Sequence, residues 1–250
     1  MIKILSLGAG VQSSTLAMMM KHGEIPKADL VIFADTGSEP VAVYRWLDWL
    51  KDNMDMPYLQ VQKDNGLTAN IEAVCRGEAK RNGNPPLFTE NGGMIHRQCT
   101  GDYKISPIRK AVKGYKKCIM IQGISWEERR RAKPSDVQWI SHKHPLVDMR
   151  MTRDQCKRWM VQHDYPIPPR SACVYCPYRC NMEWRKMRDD APEDWAEACR
   201  IDDLMRDRLP GMKERVFVHR SCVPLREAPI DSNQINMFEG WEDCEGLCGV

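Results

Sequence analysis

Short apolar runs alternate with segments of helical period along the first half of the chain. Residues 2–7, 30–34, 58–61 and 118–122 read as strands, the first and last of them ending at glycine. Between them lie helical patterns at 12–22, stopped by Gly23 and Pro26, and at 41–52, where Val43, Trp46, Leu47 and Leu50 recur at helical spacing. Further helices are expected at 67–76 and at 103–113, across Pro107. Strand–helix units of about 30 residues predict an α/β fold, a parallel sheet with helices on both faces. Residues 77–93, rich in Gly, Asn and Pro, read as a mobile loop long enough to act as a lid. Beyond 133 the pattern is less regular. Helices are expected at 152–163 with Thr152 as cap, at 181–189 and at 192–209, followed by a short strand at 215–219. This predicts a nucleotide-binding domain over 1–135, a cysteine-rich and mostly helical C-terminal region over 136–225, and an extended tail over 226–250.

Composition narrows the class without naming a chemistry. The 250 residues are 42% hydrophobic and 28% charged, an ordinary globular balance. No apolar run reaches the roughly 20 residues of a membrane span, and the N-terminus lacks the pattern of a secretory signal, so a cytoplasmic location and no membrane partner are expected. The net charge of +3 gives no global argument for nucleic-acid binding. Cysteine is the unusual feature: there are eleven, and six lie between Cys156 and Cys222. An odd count in a reducing compartment points to metal or sulfur chemistry over a disulfide framework.

The first candidate site is the turn after the first strand, Ser6-Leu7-Gly8-Ala9-Gly10-Val11-Gln12-Ser13-Ser14. A strand, a Gly/Ser-rich turn and a helix N-terminus together make an anion cradle. A tight strand–helix connection accounts for the glycines equally well. The spacing is neither the dinucleotide fingerprint nor the lysine-containing P-loop. Gly8 to Ser13 resembles the PP-loop of the ATP-pyrophosphatase superfamily, usually S-G-G-x-D-S, with Gly8 in place of the first serine and Gln12 in place of the aspartate. Val31 to Gly37, ending Asp35-Thr36-Gly37, looks like the second-strand element of phosphoadenylylsulfate (PAPS) reductases. Ile121 to Glu128 with Arg129, Arg130 and Arg131 is similar to their later glycine–acidic–arginine element. The resemblance implies a Rossmann-like fold of the HUP type. It implies nucleotide contacts from Ser6, Gly8, Gly10, Gln12, Ser13, Ser14, Phe33, Asp35 and Gly123, with Arg131 neutralising phosphate.

The second candidate site is built on sulfur. Cys173-x-x-Cys176 suits zinc or one edge of an iron–sulfur cluster, and Cys180, Cys99 and Cys222 are candidates to complete it. The stretch Cys99 to Ile108, which holds Lys104 and Pro107, resembles the cysteine–lysine–proline element of PAPS/APS reductases and of the sulfurtransferase that installs DNA phosphorothioates. Thr100 stands where APS reductases carry a second cysteine. By that resemblance Cys99, Cys173 and Cys176 ligate a [4Fe–4S] cluster, with Cys180 as a possible fourth ligand and zinc as the alternative metal. The tail, Cys244-Glu245-Gly246-Leu247-Cys248, is loosely similar to the reductases' C-terminal E-C-G-L-H. It makes Cys244 and Cys248 candidate nucleophiles, with Lys104 and Arg131 beside them in the catalytic set.

The implied activity is ATP- and Mg²⁺-dependent adenylation of a substrate with pyrophosphate release, followed by sulfur transfer. Reduction of a sulfonucleotide by a cysteine thiol is the alternative, and a non-catalytic zinc- and nucleotide-binding module is a third. Implied partners are a sulfur donor such as a cysteine desulfurase or a thioredoxin-like reductant. The acceptor, nucleic acid or small molecule, is not specified by these residues.

Overall fold

A computed structural model of the protein describes residues 1–80 and 83–232. Seven strands and eight α-helices occur among them. The strands are β1 (Ile2–Leu7), β2 (Leu30–Asp35), β3 (Tyr58–Gln62), β4 (Phe88–Thr89), β5 (Cys118–Gln122), β6 (Ile140–Lys143) and β7 (Val216–Phe217). The helices are α1 (Val11–His22), α2 (Val41–Asn53), α3 (Gly66–Cys75), α4 (Ser106–Val112), α5 (Pro145–Asp148), α6 (Arg153–Gln162), α7 (Asn181–Asp190) and α8 (Pro192–Met205). The main sheet has the order β3-β2-β1-β5-β6 and every pairing in it is parallel. This is the expected Rossmann-like α/β arrangement. Among the described residues, no helix is long and apolar enough to cross a membrane.

Both faces of the sheet are covered, which is why the central strands are continuous apolar runs. Leu5, Leu7, Val31, Phe33 and Ile121 pack on one face against α1, α2 and α6. Their alternating neighbours Ile4, Ile32, Ala34 and Met120 pack on the other against Ile108 and Val112 of α4. A third cluster joins Leu67 and Ile71 of α3, Leu87 and Tyr103 to Val174, Tyr175 and the inner faces of α7 and α8. The cysteine-rich region therefore shares a core with the segment that carries Cys99.

The observed structure differs from the sequence expectations in four places. The helix expected from 103 starts as a wide π-type turn, Gly101–Ile105, before α4. Pro107 has no N–H for an ordinary i→i−4 bond to Tyr103, and the Ser106 N–H bonds to the Gly101 carbonyl instead. Strand β6 was not expected, because Ile-Ser-His-Lys at a sheet edge is short and polar. Within 77–93, β4 pairs antiparallel with β7, Phe88 opposite Phe217, and Leu87 is fully buried. Those residues are stitched to the C-terminal region. The strand expected at 215–219 is limited to the two residues of β7. Of the tail, residues 226–232 pack on α7, with Asn181 Nδ2 donating to the Pro229 carbonyl at 3.2 Å.

Two glycines fix the turn after β2. Gly37 and Gly66 both adopt positive φ, +64° and +91°, and lie back to back. A Cβ on Gly66 would stand 2.8 Å from the Thr36 carbonyl oxygen, while the Leu67 N–H bonds that same oxygen at 2.7 Å. Gly66→Ala is expected to destabilise the protein by about 1–3 kcal/mol and to lower Tm by about 5 °C. Gly77→Ala, with φ +77° but open space around it, carries only the left-handed penalty of about 1 kcal/mol. Thermal unfolding of the two variants side by side checks the difference.

Candidate functional site

Ligands of open parallel sheets bind beyond the carboxyl ends of the strands, where the strand order reverses. Here that point lies between β1 and β5, which run in register with Ser6 opposite Gln122. The Gly8–Gly10 turn and the N-terminus of α1 stand there. The first turn of a helix leaves N–H groups without intrahelical acceptors. The turn is held shut by side chains: Ser13 Oγ accepts the Gly8 N–H at 3.1 Å, the Ser171 hydroxyl donates to the Gly8 carbonyl, and Ser14 Oγ accepts the Trp46 indole N–H at 2.9 Å. Ala9 takes a positive φ of 59° in this turn.

Gly123, at the end of β5, has a packing reason to be glycine. A Cβ there would fall 2.7 Å from the Ser13 backbone nitrogen and 2.8 Å from its Cα. The sheet thus meets the first turn of α1 backbone to backbone. Three buried polar atoms lie at this junction without a protein partner: Ser6 Oγ, Gln12 Oε1 and Ser125 Oγ. Unpartnered buried oxygens cost about 1–3 kcal/mol each, and they mark a place where a ligand restores hydrogen bonds.

The loop has a carboxylate neighbour that was not expected. Gln12 Nε2 donates to Glu128 Oε2 at 3.2 Å, and Arg131 donates to Glu128 Oε1. Burial pushes the Glu128 carboxyl above its ordinary range, an effect opposed by Arg131. Arg131 thus reaches the loop through Glu128, in the short 3₁₀ turn Trp126–Arg131.

Asp35 is placed differently from the expectation of an open nucleotide contact. Its Oδ1 accepts the Gly37 N–H at 2.7 Å and the Tyr44 hydroxyl at 2.9 Å, and its Oδ2 accepts Gln60 Nε2 at 2.9 Å. These bonds shape the Asp-Thr-Gly turn. Phe33 is wholly within the core, which leaves only its backbone to face a ligand.

Thr36 opens the second half of the site. A cavity of about 30 Å³ is lined by Thr36, Cys99, Lys104, Cys173, Cys176 and Tyr178, among others. Thr36 Oγ1 lies 3.4 Å from Cys173 Sγ. Lys104 Nζ is 3.3 Å from Glu39 Oε1, with side chains only 10% and 0% exposed, and Glu39 Oε2 has no partner. Burial drives the Cys173 thiol well above its ordinary range; Glu39, Cys99 and Cys176 add to this and Lys104 opposes it. Arg179, 6% exposed, donates to the Ala172 and Cys173 carbonyls at 2.8 and 3.2 Å and so braces the turn. Tyr175 anchors the same turn through Ser38 Oγ at 2.7 Å and Thr68 Oγ1 at 3.1 Å.

Three of the four expected metal ligands therefore face one cavity. Cys180 is not among its lining residues. It stands at the start of α7, where its N–H donates to the Glu183 carboxylate at 2.8 Å. Among the described residues, no three His, Cys, Asp or Glu side chains converge closely enough to hold a single metal ion. An iron–sulfur cluster is held by thiolates, and the cavity offers three thiols, with Lys104 and Arg179 near them as countercharge. Seating it in a water-sized cavity requires the Cys99 segment and the Cys173–Cys176 turn to part. Cys244 and Cys248 lie outside the described residues.

Residues 3–169 match the phosphoadenosine phosphosulfate reductase domain. The chain belongs to this family. The match covers both halves of the site except the Cys173–Cys176 turn, which follows it in the chain. Among solved structures, this family member is similar to the phosphoadenylyl-sulfate (PAPS) reductase from Candida auris in its phosphate complex, at 12% identity over 67% of this chain and 75% of that one, with a TM-score of 0.46. No curated protein matches it.

Beyond the residues assigned to the site from the sequence, the structure brings Glu39, Glu128, Ser125, Ser171 and Arg179 to it, the last two following the matched domain in the chain. Glu39 and Glu128 stand within or next to the matched motifs, but neither pattern shows that they turn inward. For the buried pair, Lys104→Met is expected to destabilise by about 3–5 kcal/mol, because it leaves the Glu39 charge uncompensated. Adding Glu39→Gln is expected to recover most of that loss, and denaturant unfolding of the single and double variants measures it.

Proposed function

We propose that this protein is an adenine-nucleotide-dependent enzyme that activates a substrate oxygen and replaces it with sulfur. The observation that carries the reading is the placement of two chemistries side by side. Unpartnered buried oxygens and a helix N-terminus lie at the ends of β1 and β5, and a cavity with three cysteines opens at the end of β2.

In this reading, ATP with Mg²⁺ lies with its phosphates along Gly8–Ser14, held by backbone N–H groups and the Ser6 and Ser13 hydroxyls. The adenine lies near the backbone of Ile32 to Asp35. A substrate oxygen attacks the α-phosphorus; the new P–O bond forms as the bond to pyrophosphate breaks, and pyrophosphate leaves with the electron pair. Arg131 and the N-terminus of α1 stabilise the charge that develops, the kind of contribution that dominates such steps. Sulfur delivered as a persulfide by a donor protein of the cysteine desulfurase class, and brought to the sulfide level by two electrons from a thioredoxin-like dithiol that becomes a disulfide, then attacks the atom that carries the adenylated oxygen, and AMP leaves with the electron pair of the bond to that oxygen. Cys99, Cys173 and Cys176 would hold a [4Fe–4S] cluster, whose chemistry is to bind and present sulfur at an open iron. Lys104 and Arg179 offset the charge of the thiolates, which must be deprotonated to ligate metal.

Reduction of a sulfonucleotide by a cysteine thiol is the second reading, favoured by the family match itself. The sulfur-transfer reading expects pyrophosphate release from ATP by anaerobically purified protein, lowered on the order of 10²-fold by Ser13→Ala, the size typical for losing one preorganised donor. It also expects iron and acid-labile sulfide bound to the wild type and lost on Cys173→Ser. Sulfite release from PAPS without pyrophosphate release would transfer the assignment to the reductase.

A further inference from the structure

The loop lacks the aspartate of the S-G-G-x-D-S pattern, and Gln12 stands in its place. The structure nevertheless brings a carboxylate to that position from 116 residues away. Glu128, with its side chain 13% exposed, accepts from Gln12 Nε2 at 3.2 Å with one oxygen and from the Arg131 guanidinium with the other. Both donors are the kind that binds a phosphate: an amide N–H beside a helix N-terminus and a guanidinium. The carboxylate that joins them is an anion with two oxygens, seated against the first turn of a 12-residue helix. Two further observations mark the place as one that takes a ligand. Gln12, 1% exposed, keeps its Oε1 without a partner, and so does the fully buried Ser125 hydroxyl, three residues before Glu128.

We propose that Glu128 is a positioning residue that occupies the place of a phosphate group, holds Gln12 and Arg131 ready for the nucleotide, and gives both up when the polyphosphate binds. The inference rests on reading Gly8–Ser14 as the phosphate site. A carboxylate in this place sets the binding-competent arrangement in advance, and it also competes with the incoming anion. Affinity for polyphosphate is then lower than the donors alone would give, and Glu128 controls it. The charged groups facing Glu128 are Arg131 and Glu127 from its own turn and Arg153 from the start of α6; from α1 it meets the Gln12 amide.

Isothermal titration of the full-length protein with inorganic pyrophosphate, and separately with ATP, tests this. Glu128→Gln keeps the shape and one acceptor oxygen but removes the competing charge, and is expected to bind pyrophosphate about fivefold more tightly at pH 8. A residue that merely braced the turn would show weaker binding, never tighter. Because protonated Glu128 is equivalent to glutamine in charge, the advantage of the variant over the wild type is expected to shrink as pH falls toward 5. Comparing the two proteins at each pH cancels the titration of pyrophosphate itself. Arg131→Met is expected to weaken binding at least tenfold. Unchanged or weaker binding by Glu128→Gln at a retained Tm overturns the proposal, and so does unchanged binding by Arg131→Met. Should Glu128→Gln fold poorly, Glu128→Met, which also removes the competing charge, takes its place in the pH series, and an affinity advantage over the wild type that is absent at pH 8 or does not shrink as pH falls is equally decisive against it. If the wild type binds pyrophosphate and these shifts are absent, only the role of Glu128 fails. If neither the wild type nor Glu128→Gln binds pyrophosphate or ATP, the phosphate-site reading fails with it.

Discussion

The backbone contact between Gly123 and Ser13 is the constraint on which the phosphate loop depends. With any Cβ at Gly123, the first turn of α1 would have to lift from β5, because the nearest atoms are backbone and cannot rotate away. The contact sets how close the helix N-terminus comes to the strand order reversal. It also brings the residues after β5 under the loop, so that Glu128 and Arg131 meet Gln12. A single missing side chain thus joins two segments more than 100 residues apart into one corner of the candidate site. The Ser13 and Ser171 hydroxyls then close the turn from either side.

The cysteine cavity is governed by charge more than by space. Glu39 and Lys104 are buried together next to three thiols, and Arg179 is buried behind them. A buried ion pair is weak evidence for stability, since desolvation consumes most of its Coulomb energy. Burial favours the protonated form of the Cys173 thiol, and Lys104 opposes that effect. The π-type turn before α4 carries this segment to the cavity: Cys99, just before the turn, and Lys104, within it, both reach the lining. The two halves of the site are linked by the Asp-Thr-Gly turn, whose Asp35 is fully used in shaping backbone while Thr36 touches Cys173.

Much of this was legible in the sequence. The apolar runs at β1, β2 and β5 identify strands buried on both faces, since only a sheet covered by helices tolerates such runs, and their alternation with helical periods specifies the parallel order. The glycines before α1 and the Cys173–Cys176 pair pointed to the two candidate sites, although a tight strand–helix connection accounts for the glycines equally well. Edge strand β6 and the two-residue strand β4 were not legible, since pairing partners and not local pattern make them strands, and β7, expected over 215–219, is cut to two residues by its pairing with β4.

What only the tertiary structure decided is which polar residues turn inward. In the linear chain Glu39 stands unmarked, Arg179 reads as part of a solvated basic cluster, Glu128 lies in the glycine–acidic–arginine stretch with no partner assigned, and Asp35 reads as a nucleotide contact. Their roles depend on partners brought by distant segments: Lys104 for Glu39, Gln12 for Glu128, the Ala172 and Cys173 carbonyls for Arg179, and Tyr44 and Gln60 for Asp35. The local pattern encodes which backbone segments form and where the chemistry-bearing atoms begin. Burial and charge compensation arise only when those segments pack, and they decide which of the atoms meet.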